Sequence, residues 1–158
     1  MTLAHLEPVL AIERLSSPHP WTVGVLTDEL AHGDTRTYRV ALIDEEVVGF
    51  AGVLVQVGEA HVTNIAVHPE HRRNGIARVL LLSVVRAAIA RGAHAITLEV
   101  RSSNVGAQRL YHQFGFAPSG VRPRYYADGE DALIMWADDI QDDVYTDRLA
   151  LLDARVAS

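Results

Sequence analysis

The stretch Ala60-His61-Val62-Thr63-Asn64-Ile65-Ala66-Val67-His68-Pro69-Glu70-His71-Arg72-Arg73-Asn74-Gly75-Ile76-Ala77-Arg78 decides how the rest of the chain is read. Ala60 to Val67 reads as a strand, and His68-Pro69 ends it. A polar loop follows, and a helix begins at a glycine. The first N–H groups of a helix have no partner within it and point outward, and the dipole adds partial positive charge. That makes the loop an anion site best suited to phosphate. Arg72, Arg73 and Arg78 add local charge, and Gly75 lets a ligand come close to the backbone. The loop is neither Gly-x-x-x-x-Gly-Lys nor Gly-x-Gly-x-x-Gly. The helix, Gly75 to Arg91, is apolar nearly all round, so it is expected to be buried on more than one side. Gly92 stops it, and Ala93 to Val100 is the next strand. A strand–helix–strand unit of this length implies two parallel strands and a right-handed crossover.

Working outward, Leu3 to Leu15 has helical spacing at Leu3, Leu6 and Leu10, and Ser16 to Pro20 breaks it. Thr22 to Ala31 is a second short helix. Residues 37–43 and 47–57 form a hairpin across Asp44-Glu45-Glu46, and Gly49 and Gly52 mark a close backbone approach or a bulge. Ser103 or Asn104 caps a helix that runs to Phe114. Residues 116–122 and 131–137 make a last strand pair. The chain is therefore expected to be one α/β domain over 1–137, followed by an acidic tail over 138–158. The tail has helical spacing at Val144, Leu149, Leu152 and Val156.

Composition narrows the function. With no cysteine the chain has no disulfide, no thiolate zinc site and no cysteine nucleophile. A net charge of −6 argues against general nucleic-acid binding. No run is long and apolar enough for a membrane span, and the first fifteen residues lack a signal peptide's basic start, so the expected location is cytoplasmic. His68 and His71 have metal-like spacing without a third ligand, so no metal is expected. All 14 basic residues are arginine, which reads as coding bias.

Arg72-Arg73-Asn74-Gly75-Ile76-Ala77 resembles the acetyl-CoA pyrophosphate loop of the GCN5-related N-acetyltransferases, the GNAT superfamily. Asn64-Ile65-Ala66-Val67-His68-Pro69 resembles that family's central strand. Asn104-Val105-Gly106-Ala107-Gln108-Arg109-Leu110-Tyr111-His112-Gln113-Phe114-Gly115-Phe116 is similar to its Asn-x-x-Ala-x-x-Leu-Tyr-x-x-x-Gly-Phe segment. A narrower likeness, to the bacterial RimI-type ribosomal-protein-alanine N-acetyltransferases, rests on three pieces. These are Leu98-Glu99-Val100-Arg101-Ser102-Ser103-Asn104, Arg122-Pro123-Arg124-Tyr125-Tyr126 and Gly129-Glu130-Asp131-Ala132-Leu133-Ile134-Met135. Ile12-Glu13 and Pro20-Trp21 also fit. The resemblance implies a GNAT fold: a mixed central sheet, flanked by helices, with a splayed parallel strand pair and pantetheine between the splayed strands. The family's first strand has no counterpart before residue 3: either it is missing or the true start lies upstream of Met1.

The resemblance also implies roles. Acetyl-CoA would be the co-substrate, held by the backbone of Ile65, Ala66 and Val67, by Arg72, Arg73, Asn74, Gly75, Ile76, Ala77 and Arg78, and by Asn104. Glu99 would be the general base and Tyr111 the acid for the departing thiolate. Pro20 and Trp21 on one side, and Tyr125 and Tyr126 on the other, would wall the acceptor. The acceptor would be a protein N-terminus, such as that of a ribosomal protein, and the enzyme a monomer with no nucleic-acid or membrane partner. An α-amine with pKa about 7.7–8.0 suits a carboxylate base better than a lysine near 10.4. Two other readings remain: acetylation of a small amine or a lysine, and a non-catalytic acetyl-CoA-binding regulator. Tyr125-Tyr126 and Leu98-Glu99-Val100-Arg101 argue against the first, and the presence of both Glu99 and Tyr111 argues against the second. The excess negative charge lies in 128–158, which holds nine acids and two arginines. That end is expected to attract a basic acceptor.

Overall fold

The computed structural model of the chain describes residues 1–156; Ala157 and Ser158, the end of the expected tail, lie outside the described residues. A 3-10 turn, Leu3–His5, leads into α1 (Leu6–Ser16), and no strand precedes it among the described residues. The apolar stripe of α1 buries Val9, Leu10 and Ile12. Thr22 caps α2 (Val23–Ala31) by accepting the Val25 N–H.

Three strands follow as a meander: β1 (Arg36–Ile43), β2 (Glu46–Gln56) and β3 (Glu59–Val67). The β1–β2 turn holds Asp44 and Glu45 at φ 48° and 70°, the left-handed pair that the twist of a tight hairpin requires. Gly75, at φ 78°, caps α3 (Ile76–Ala90). Then come β4 (Ala95–Arg101), α4 (Val105–Gln113), the hairpin β5 (Ala117–Arg122) and β6 (Ala132–Ala137), and α5 (Asp143–Ala154).

The sheet order is β1-β2-β3-β4-β6-β5, with β3 and β4 parallel and the other neighbours antiparallel. Strand β2 is buried on both faces, as alternation at its centre shows. Phe50 joins the cluster of Val9, Leu10, Ile12 and Leu26 under α1 and α2, whereas its neighbour Ala51 joins Leu81, Val84 and Val85 of α3. Helices thus cover both faces, and the larger core lies on the α3 side.

The glycines of β2 are spaces for neighbours. A Cβ at Gly52 would lie 2.3 Å from the Tyr38 ring. The β2–β3 register shifts at the same place: Gly52 faces Asn64 and Val53 faces Val62, which leaves Thr63 as a bulge. The acidic segment after residue 137 does not stand apart. Tyr145, Leu149 and Leu152 of α5 lie in the α3-side core, and Gln141 Nε2 donates to the carbonyls of Ile89 and Ala93 at 2.9 and 2.6 Å. The buried stripe differs from the expected one: Val144 is 71% exposed and Val156 40%, and Tyr145 takes the inward place.

Candidate active site

The site exists because β3 and β4 part company. Their ladder has only three steps, Glu59↔Ala95, Ala60↔Ile96 and His61↔Thr97. Beyond His61 the β4-facing edge of β3 has no strand partner, so its backbone groups are open to a ligand. Two clefts meet in this opening, and Ser16, Ile65, Ala66, Asn104 and Tyr111 line both.

The first cleft, about 450 Å³, lies between the start of α3 and α4. Ile65, Ala66, Val67, Arg72, Arg73, Gly75, Ile76, Ala77, Arg78, Asn104 and Tyr111 all line it, but Asn74 does not. The positive φ of Gly75 turns the chain into α3, and no atom lies within 4 Å of where its Cβ would be. Ile76, Ala77 and Arg78, whose N–H groups have no partner within the helix, line the cleft. Arg72 is partly engaged, with Nε on the Val67 carbonyl at 3.2 Å. Arg78 Nη2 donates to Gln113 Oε1 at 2.9 Å, while its Nε is buried without a partner. A buried guanidinium N–H that has no acceptor, beside an open helix start, fits an anionic group. Asn104 caps α4 by accepting the Ala107 N–H at 3.1 Å, so the capping role and a place in the cleft coexist.

The second cleft, about 560 Å³, lies on the α1 face of the sheet. Strand β4 alternates: Ile96, Leu98 and Val100 point into the core, so Thr97, Glu99 and Arg101 point the other way. Glu99 holds two partners, His61 Nε2 at 2.5 Å and Arg122 Nε at 3.2 Å. Its side chain is 13% exposed. Tyr111, buried on α4 with its ring 5.9 Å from Phe116, reaches the junction of the clefts. Burial raises its phenol well above the ordinary tyrosine range, and Tyr126 adds to the effect.

Tyr125 and Tyr126 line the same cleft, edge to face at 5.2 Å. Their loop is fastened to the end of β4. The Arg101 guanidinium lies 4.1 Å from the Tyr126 ring centre and pairs with Asp128 at 2.8 Å and Glu130 at 3.1 Å. Glu130 also accepts from the N–H and hydroxyl of Ser103 at 2.9 and 2.6 Å, and these bonds hold its carboxyl at about 2. Burial raises Tyr126 to about 12. Across the cleft Trp21 is part of the wall; His19 lines it where Pro20 does not.

Several residues here escaped the sequence reading. His61 had a signal, because its place between buried Ala60 and Val62 puts it on the Glu99 face of the sheet. Arg101 and Glu130 lay inside quoted motifs, but their pairing joins positions 29 apart. Glu13, buried on α1 and touching the Trp21 N–H and Asn64, lay inside the Ile12-Glu13 match, but nothing local gave it a role in the cleft.

The mixed sheet thus opens, where its parallel pair splays, between a helix start on one side and a polar cleft lined by Glu99 and His61 on the other, the frame of an α/β enzyme. The profile of the acetyltransferase (GNAT) family matches residues 6–116, and the chain belongs to that family as an N-acetyltransferase. It is 39% identical over 137 residues to a Bacillus subtilis (strain 168) protein provisionally named a ribosomal protein bS18-alanine N-acetyltransferase, covering 86% of this chain and 91% of the relative. It is 33% identical over 148 residues to an N-alpha-acetyltransferase of Sulfurisphaera tokodaii, covering 85% and 88%. The crystal structure of the Escherichia coli ribosomal-protein-S18-alanine N-acetyltransferase superposes with a TM-score of 0.80 at 31% identity, covering 88% of this chain and 90% of the other. No helix is long and apolar enough to cross a membrane among the described residues.

Proposed function

We propose that this protein transfers an acetyl group from acetyl-CoA to the N-terminal α-amine of a protein in the cytoplasm, with the N-terminal alanine of a ribosomal protein as the acceptor. The observation that carries the reading is the meeting of two clefts at Tyr111 and the free edge of β3, one fitted to an anion and the other lined by Glu99 and His61. The names of the relatives from Bacillus subtilis, Sulfurisphaera tokodaii and Escherichia coli support the choice of acceptor.

In this reading the pyrophosphate lies on the start of α3 with Arg73 and Arg78 beside it, and Arg72 braces the loop to β3. The thioester carbonyl turns to the backbone N–H groups of Ile65 to Val67, which stabilise its developing oxyanion. The peptide enters between Trp21 and the Tyr125–Tyr126 loop. Glu99, hydrogen-bonded to His61, takes one proton from the ammonium through a water; the nitrogen attacks the carbonyl carbon; the C–S bond breaks as Tyr111 gives the leaving sulfur its proton, and the surplus proton on the new amide nitrogen restores Tyr111. The raised pKa keeps Tyr111 protonated until the sulfur departs, so proton transfer accompanies bond breaking. The products are an amide and free CoA, and no enzyme-bound acyl group is formed.

The test is a panel of peptides with free or blocked N-termini, incubated with acetyl-CoA and read by mass. Free α-amines should gain one acetyl group. Acetylation of lysine on blocked peptides, with none on α-amines, would overturn the reading.

A further inference from the structure

Three carboxylates line the acceptor cleft, and two of them are already neutralised. Glu99 meets His61 and Arg122, and Glu29 meets Arg36 at 2.9 Å. Glu13 is different. It is 5% exposed, yet it takes part in no ion pair among the described residues. Its partners are neutral: the Trp21 N–H on Oε1 and Asn64 Nδ2 on Oε2, each at 3.2 Å. On the buried stripe of α1, beside Val9, Leu10 and Ile12, an apolar side chain would satisfy packing. A buried carboxylate with only neutral donors is short of positive charge, and its two oxygens retain unused lone pairs.

We infer that Glu13 is a subsite for a cationic amine of the acceptor, supplying the one unpaired negative charge in the cleft. This rests on the reading that the acceptor is a peptide amine. Such an amine arrives mostly as an ammonium at neutral pH. The Arg122 guanidinium already balances the charge of Glu99, so Glu13, bonded only to neutral donors, is where the incoming charge finds an unbalanced counter-ion. The cation can be the α-ammonium or a basic side chain among the first residues, and the two sources are separable. The hydrogen bonds of Glu13 also tie the loop that carries Trp21 to β3, so the subsite and the cleft wall are set together.

The variant is Glu13→Gln. It removes the charge and keeps the bonds, because the glutamine oxygen accepts the Trp21 N–H and the Asn64 amide can turn to accept the glutamine N–H. Two free-amine peptides are compared, one beginning Ala-Gly with no basic side chain and one beginning Ala-Arg. The KM for peptide should rise about tenfold, or about 1.4 kcal/mol, with the KM for acetyl-CoA and the melting temperature unchanged. A rise for both peptides assigns the α-ammonium, and a rise for Ala-Arg alone assigns the side chain; either supports the subsite. Unchanged peptide KM values, with the wild type active, overturn the subsite and leave the acetylation reading standing. A wild type that acetylates neither peptide overturns that reading and the subsite with it. Should Glu13→Gln fail to fold, the wild type is challenged with two inhibitors. One is a peptide capped by a trimethylammonium group, the other its neutral tert-butyl isostere. The cation should bind at least tenfold more tightly, and equal inhibition overturns the proposal.

Discussion

Replacing Gly52 by alanine tests how the acceptor cleft is built. The new Cβ would lie 2.3 Å from Tyr38 Cε1, 2.5 Å from Cζ and 2.7 Å from Thr63 Oγ1. Ordinary carbon contacts are about 3.5–4.0 Å, so the ring must withdraw by about 1 Å or more. Tyr38 is 5% exposed, and its hydroxyl is fixed to Glu29 at 2.8 Å and to Thr63 at 3.0 Å. Overpacking of this kind costs about 1–3 kcal/mol, and weakening the two hydrogen bonds adds about 1 kcal/mol. A total of about 2–4 kcal/mol lowers the melting temperature of a chain this size by roughly 5–15 °C. Thr63 is the bulge residue and lines the acceptor cleft, so the KM for peptide should rise more than the KM for acetyl-CoA. The assay is thermal unfolding of Gly52→Ala, Tyr38→Ala and the double variant, with steady-state kinetics beside it. In the Tyr38→Ala background the alanine should cost at least about 1 kcal/mol less, because the ring clash is gone and only the Thr63 Oγ1 contact remains. Gly52→Ala melting within about 1 °C of the wild type, or costing the same with and without the ring, would refute the reasoning.

Glu99→Gln should lower kcat about 10²–10⁴-fold with the KM for acetyl-CoA unchanged, and a wild-type rate across pH 6–9 would remove the base from Glu99. Tyr111→Phe should cut kcat by about 10²-fold or more without raising the peptide KM; an unaltered rate would exclude it as the acid. Burial raises Tyr38, Tyr111, Tyr126 and Tyr145, with Tyr126 near 12, so native absorbance at 295 nm should fall well short of the unfolded chain's at pH 11. The folded state holds these protons more tightly. Their contribution to stability is therefore complete below about pH 10 and lost as pH rises through the folded values. Full ionisation at pH 11 before unfolding would contradict this. Glu130, lowered to about 2 by Ser103 and Arg101, contributes above its unfolded value and is lost as pH falls toward 2. Protease cutting within 123–131 should hence stay slow from pH 9 down to about 5. It should accelerate when Glu130 is replaced by Gln, and an identical rate in that variant would disprove the fastening.

Period and punctuation made most elements legible. The Gly75 start and the Gly92 stop bracket α3, and alternation marks β4, because both signals act within a few residues. The anion loop was legible for the same reason, since a helix start exposes N–H groups wherever it folds. Local signals misplaced the inward stripe of α5. Val144 looked as apolar as Leu149, but Tyr145 turns inward, and only the surface of α3 chooses between them.

The sequence by itself determined the elements, the strand–helix–strand core and the motifs that hold Glu99, Tyr111, Tyr125 and Tyr126. Tertiary structure alone decided what surrounds them: that Glu99 is held by His61 and Arg122, that Arg101 and Glu130 fasten the tyrosine loop, and that Glu13 lies in the cleft without a cation. The physical reason is range. Helix and strand preferences are settled between near neighbours in the chain, whereas the charge environment of a side chain depends on groups tens of residues away that only the folded sheet brings together.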